Sequence, residues 1–243
     1  MQDSYYPLPG GPVLILDEQT PFPPLQQALT EPNGLIAIGG DLTAERLLAA
    51  YQRGIFPWFS PGEPILWWSP DPRMVLFPAE VTISRSLRKV IQQQAFEIRI
   101  NTAFESVIVA CANTARPGQD GTWISEEMAQ AYSELHTLGY AHSVEAWQNS
   151  TLVGGCYGVK IGRMFYGESM FHHVSNASKV AFAHLVQWLN TQQVGMIDCQ
   201  MHTPLLASFG AYEIPRDRFI ETMNDLHQTT DTATALVKSL DAI

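Results

Sequence analysis

Cysteine is scarce in this chain. Only Cys111, Cys156 and Cys199 occur in 243 residues, and no two form a CxxC pair. That excludes a disulfide framework and a structural zinc site. Charge is sparse as well, at 16% against 46% hydrophobic residues, the balance of a well-cored globular protein and not of a disordered one. No apolar run reaches the roughly 18 residues a membrane span needs. The opening Met1-Gln2-Asp3-Ser4-Tyr5-Tyr6-Pro7 has neither the basic nor the apolar region of a signal peptide. The expected location is therefore the cytoplasm. Basic residues are in deficit, 14 against 24 acids for a net charge of −10, so bulk attraction to nucleic acid is excluded. Eight of the 14 nevertheless fall in one span: Arg46, Arg53, Arg73, Arg85, Arg88, Lys89, Arg99 and Arg116. They are a candidate local basic face. Repeats and low-complexity runs are absent, and the length suits one large domain or two unequal ones.

What is present centres on residues 154–201. Val153 to Lys160 and Arg163 to His172 are rich in β-branched and aromatic residues. The Lys160-Ile161-Gly162 turn makes them an expected antiparallel hairpin. Asn176 to Asn190 has helical spacing, with Ala177, Val180, Ala181, His184, Leu185 and Trp188 on one stripe. Met196 to Met201 is then an apolar strand carrying Asp198 and Gln200. Alternation puts these two side chains on one face, about 7 Å apart. A carboxylate in so apolar a strand is costly to bury unless it is hydrogen-bonded or used. Glu168 supplies a second acid from the hairpin. The expectation is an acidic, partly buried site on the central sheet of an α/β domain. A lone buried Asp is more often a structural acceptor, so these residues by themselves leave function open. Adjacent His172 and His173 face opposite ways in a strand and have no third ligand, so no metal is expected.

Elsewhere, the spacing predicts a strand at Val13–Leu16, the one strand expected before residue 33, and another at Gly34–Ile38. A helix over Ala44–Arg53, capped by Asp41 or Thr43, follows. Residues 55–73 are broken by prolines and hold Trp58, Trp67 and Trp68 on expected loops and edge strands. They are either a plug between domains or a stacking platform for a base. Further helices are expected over 82–94 (capped by Ser84, with Arg85, Arg88 and Lys89), 104–113, and from Ser125 to Leu138. Strands are expected over 96–101 and 142–148. After Gln200 the pattern is loop, short helix and an acidic helical tail. A boundary falls near 70–78, giving domains 1–73 and 74–243.

Several long motifs carry a resemblance. They are Glu31-Pro32-Asn33-Gly34-Leu35 through Gly39-Gly40-Asp41-Leu42, Arg53-Gly54-Ile55-Phe56-Pro57-Trp58-Phe59, and Leu66-Trp67-Trp68-Ser69-Pro70-Asp71-Pro72-Arg73. With them go Gly121-Thr122-Trp123-Ile124, Gly167-Glu168-Ser169-Met170-Phe171, Asn176-Ala177-Ser178-Lys179 and Ile197-Asp198-Cys199-Gln200. Over residues 21–220 the chain closely resembles bacterial leucyl/phenylalanyl-tRNA–protein transferases. The resemblance implies an α+β, mixed α/β protein: a small N-terminal α/β domain followed by a GNAT-like acyltransferase domain. It implies transfer of Leu or Phe, with Met a further candidate, from charged tRNA to the α-amine of an N-terminal Arg or Lys. The product would be an N-degron. It implies Asp198 and Gln200 as catalytic, with Gln200, oriented by Asp198, contacting the amine, and Glu168 holding the cationic terminus. Trp58 and Trp123 would flank the terminal adenosine. Cys156, Met170, Leu185 and Ile197 would form the side-chain pocket, with Cys156 and Leu185 standing where Met and Phe are usual. Arg85, Arg88 and Lys89 would touch the acceptor stem. No cofactor and no membrane partner are implied, and a monomer is the default.

Two other classes compete with this one. A CoA-dependent GNAT acetyltransferase would grip pyrophosphate with a glycine-rich turn before its central helix, whereas His172-His173-Val174-Ser175-Asn176-Ala177-Ser178 contains no glycine. A non-catalytic tRNA or N-terminal-peptide binding protein would be marked by loss of the acid and amide, and both are present.

Overall fold

The computed structural model describes residues 4–114 and 124–227. Its N-terminal part is built on a five-stranded sheet. In chain order this part comprises β1 (Ser4–Leu8), β2 (Gly11–Leu16), β3 (Leu35–Gly39), α1 (Ala44–Tyr51), β4 (Phe56–Pro57) and β5 (Leu66–Trp68). Their spatial order is β1-β2-β3-β5-β4, with β2 and β3 parallel and the rest antiparallel. β1 corrects the expectation of a single strand before residue 33: Ser4–Leu8 forms a hairpin with β2, and its side chains are almost all exposed, so no apolar pattern marks it. Thr43 caps α1 by accepting from the Arg46 N–H. β5 is an inner strand, not an edge. Trp67 on it is fully buried, donates its indole N–H to the Gly39 carbonyl at 2.9 Å, and meets Phe22 edge-on.

Between Trp68 and Arg73 the chain passes into a seven-stranded sheet. Its elements are β6 (Arg73–Leu76), α2 (Arg85–Gln92), β7 (Glu97–Ile100), α3 (Phe104–Ala112), α4 (Glu126–Thr137), β8 (Ala141–Gln148), β9 (Thr151–Ile161), β10 (Met164–His172), α5 (Ala177–Thr191), β11 (Met196–Gln200), α6 (Pro204–Ala207) and β12 (Tyr212–Ile214). A helix over residues 216–227, α7, follows. The order is β12-β6-β11-β10-β9-β8-β7, and β10–β11 is the one parallel pair among these strands. That pair exists because α5 carries the chain back across the sheet. β12 was not anticipated. Three residues are too short to show a period, and pairing with β6 supplies the order.

Alternation along the strands divides the buried side chains between two cores. Met164, Tyr166 and Met196 join α3, α4 and the small sheet, whereas Phe165, Ile197 and Cys156 join α5. The first core also contains Leu14, Leu47, Tyr51 and Trp67, so the small sheet packs on the α3–α4 side. The other face is left to α5, where Leu185 lies. The protein is mixed α/β. Among the described residues, no helix is long and apolar enough to cross a membrane.

Candidate active site

The parallel pairing of β10 with β11 stops at Tyr166–Asp198, and both strands are irregular just beyond it. β10 shifts register against β9 between Gly167 and Ser169, leaving Glu168 as an extra residue. β11 shifts against β6 between Asp198 and Gln200. Bulges of this kind re-aim side chains. A cleft of about 310 Å³ opens where the strands part. Cys156, Met170, Leu185 and Ile197 all line it, so the four positions assigned to a side-chain pocket do converge. Tyr157, Phe182, Cys199, Met201, Leu205 and Leu206 add to the wall, while Glu168 and Gln200 stand in it as polar groups with Ser169 and Thr203. Burial raises the thiol pKa of both Cys156 and Cys199 far above the usual value, so neither is a nucleophile at neutral pH.

Glu168 is anchored by residues that sequence analysis did not single out. Its Oε1 accepts from the Tyr51 hydroxyl at 2.8 Å and its Oε2 from the Tyr132 hydroxyl at 2.8 Å. The two hydroxyls are themselves 2.5 Å apart. Tyr51 ends α1 and Tyr132 sits in α4, so the small sheet's helix reaches the site directly. Burial pushes the Glu168 carboxyl up to about 8, helped by the nearby Asp198 charge and opposed by the tyrosine and Gln200 donors. Burial outweighs those donors. The same burial, with Glu168 alongside, keeps both tyrosines protonated. The signal for them was the presence of Tyr51 and Tyr132 on helical stripes; their common target was not visible.

Asp198 and Gln200 differ in burial and in partners. Asp198 is fully buried and takes Arg73 bidentately, at 2.8 Å from Nε and 2.7 Å from Nη2. Its Oδ1 also accepts the Gln200 backbone N–H at 2.9 Å. Gln200 instead lines the cleft and donates its Nε2 to Glu168 at 3.2 Å. Gln200 leaves the extended region, with φ of +62°. The contact between Asp198 and Gln200 is to the main chain of Gln200.

The eight-residue basic face is also corrected. Arg46 and Arg53 spend their guanidinium groups on backbone carbonyls, Arg73 is buried, and Arg99 pairs with Glu97. Such tethered groups are consumed by the fold. Arg116 lies outside the described residues. Arg85, Arg88 and Lys89 remain exposed on one face of α2, line a shallow groove with Gln92, and form no ion pair among the described residues. Trp58 is half-buried beside β4, edge-on to Trp68 at 5.8 Å, and does not line the cleft. Trp123 lies outside the described residues. No cluster of three metal-ligating side chains occurs among the described residues.

Residues 75–224 match the pattern of the leucyl/phenylalanyl-tRNA protein transferase family, and residues 40–71 match that of its N-terminal domain. The chain is 60% identical over 204 residues to the leucyl/phenylalanyl-tRNA–protein transferase of Azoarcus sp. (strain BH72), covering 84% of this chain and 86% of that one. It is 57% identical over 211 residues to the Laribacter hongkongensis (strain HLHK9) transferase of the same name, covering 87% and 90%. Among solved structures it is similar to a GCN5-related N-acetyltransferase-like protein from Streptococcus suis, at 12% identity and a TM-score of 0.34 over 68% of this chain and 61% of that one. The chain therefore belongs to the leucyl/phenylalanyl-tRNA–protein transferases, enzymes that pass an aminoacyl group from tRNA to a protein.

Proposed function

We propose that the protein transfers Leu or Phe, with Met a further candidate, from its tRNA to the α-amine of proteins beginning with Arg or Lys, marking them for degradation. The observation that carries this reading is the cleft itself: a mainly apolar pocket of side-chain size with one acid and one amide in its lining. In this reading the donor's side chain fills the space between Cys156, Met170, Leu185 and Ile197, and its ester carbonyl lies near Gln200. The acceptor's cation is drawn to Glu168, a charge-assisted contact. Residues 1–73 form the small domain and 74–243 the catalytic one, of GNAT type, acting as a monomer in the cytoplasm.

An aminoacyl ester is already activated, so the chemistry is mainly positioning. Because Gln200 Nε2 is committed to Glu168, its Oε1 is the atom left to accept an N–H from the attacking amine. The amine nitrogen forms the C–N bond, the ester C–O bond breaks, and the amine's proton ends on the departing ribose oxygen. Gln200 supplies direction in that exchange; an amide is too weak a base to hold the proton. Trp58 and Trp123 would stack on the terminal adenosine, and Arg85, Arg88 and Lys89 would hold acceptor-stem phosphates without reading sequence.

The test uses purified protein, labelled Leu-tRNA, and peptides beginning with free or acetylated Arg. Label is expected on the free-amine peptide alone, without CoA or ATP. Retention of charged tRNA with no transfer to that peptide would overturn the acceptor assignment.

A further inference from the structure

Gln200 occupies a conformation that needs explanation. Its φ is +62°, and the Met201 N–H bonds to the Cys199 carbonyl at 2.8 Å across it. An i to i+2 bond around a residue of positive φ is the strained form of γ-turn. Such a conformation persists only where its surroundings over-determine it. The main-chain N–H of Gln200 is held by Asp198 Oδ1, as in an Asx turn. Asp198 is in turn held by Arg73, and both side chains are 0% exposed.

Arg73 is constrained from every side. Its Nη1 donates to the Gly54 carbonyl at 3.1 Å. Its guanidinium lies 4.8 Å from the Phe56 ring centroid and 4.6 Å from that of Phe219. Phe56 belongs to β4 and Phe219 to α7, so the clamp draws on both sheets' surroundings. A buried ion pair of this kind adds little to stability over well-packed apolar residues, because desolvation offsets the attraction. Its value here is geometric.

We infer that Arg73 is a positioning residue for the transfer reaction, and that the Arg73–Asp198 pair works by clamping Gln200 in its strained turn. Asp198 does not receive the amine's proton. Both of its oxygens are engaged by Arg73, one of them also by Gln200, and it does not line the cleft. This rests on the acceptor chemistry proposed above. Wild-type transfer to the Arg-peptide is measured first, so a failure of that reading appears in the wild type, whereas a failure of this one appears only in the variants.

The experiment compares Arg73→Lys, Asp198→Asn and the double variant Arg73→Gln/Asp198→Asn. Steady-state transfer and hydrogen exchange over residues 199–202 are recorded for each, with a thermal melt. Arg73→Lys keeps the charge and loses the bidentate geometry. It is expected to lower kcat by about 100-fold, the scale of a small misplacement, with KM for both substrates changed less than about threefold and faster exchange at Gln200 and Met201. The double variant restores a neutral donor–acceptor pair and is expected to recover at least about tenfold over Asp198→Asn alone, with the pH profile of kcat/KM unmoved. A folded Arg73→Lys enzyme with wild-type kcat and exchange would overturn the inference. So would a double variant as inactive as Asp198→Asn and lacking one limb of its pH profile, since Asp198 would then be the proton acceptor. Phe219→Leu loosens the stack and leaves the pair intact, so it decides the matter if Arg73→Lys does not fold. It is expected to cost about tenfold in kcat, and an unchanged kcat with unchanged exchange would overturn the inference.

Discussion

Glu168 titrates far from its ordinary range, and the direction has consequences for both stability and binding. The carboxyl moves from 4.5 to about 8 on folding. The native state therefore keeps this proton over a range in which the unfolded chain has lost it. That contribution is largest below about pH 4.5 and declines as pH rises toward 8. Glu168→Gln should remove the decline, so the melting temperature of the variant relative to wild type should rise between about pH 5 and about pH 8.5. A cationic N-terminus favours the ionised acid, so its binding expels a proton near neutrality. The KM for an Arg-initiated peptide is thus expected to fall as pH approaches 8, and Glu168→Gln should abolish that limb in peptide titrations. At the apolar end, Cys156→Met would fill part of the cleft. It is expected to lower kcat/KM for Phe-tRNA relative to Leu-tRNA by about tenfold, measured by competition between the two charged tRNAs.

At the scale of elements, the site depends on how closely α5 lies on the sheet. A Cβ at Gly154 of β9 would stand 2.5 Å from the Ala177 Cβ and 2.9 Å from the backbone of residues 177 and 178. Helix backbone cannot swing aside as a side-chain tip can. Gly154→Ala should therefore cost about 1–3 kcal/mol by urea denaturation. Lifting the start of α5 should also disturb Leu185 and raise KM for charged tRNA. The elements themselves were largely legible. Thr43, Ser84 and Ser125 mark three helix starts, and each does accept a main-chain N–H in the cap. The hairpin of β9 and β10 followed from its residue pattern and the Gly162 turn. β1 and β12 were not legible, because strand order there comes from a neighbour and not from a pattern of their own.

For the whole molecule, charge decides how RNA approaches. The chain is acidic overall, so the three exposed cations on α2 stand out against a repelling background. Replacing Arg85, Arg88 and Lys89 together by Ala should weaken tRNA binding for any sequence, and should lower the slope of log K against log salt by about 2 to 3. Filter binding across a salt series would check this, and an unchanged slope would move the RNA contact elsewhere.

The sequence by itself was enough for the family, for the helices with the caps at Thr43, Ser84 and Ser125, and, through the family resemblance, for the four apolar residues that meet in the cleft. Helices and caps follow from local pattern and helical period, and the family and its pocket from long contiguous motifs, all of which a linear sequence carries. Tertiary structure alone decided which charges stay exposed and which are spent on distant partners. Arg46, Arg53 and Arg73 look like Arg85 and Arg88 until their partners, distant in the chain, are brought beside them. It also decided the geometry of Gln200. A two-residue alternation carries no record of partners: the buried Arg73 claims the Asp198 carboxylate, and the Gln200 amide meets Glu168. Both partners are distant in the chain, and in a low-dielectric interior such pairing is strong.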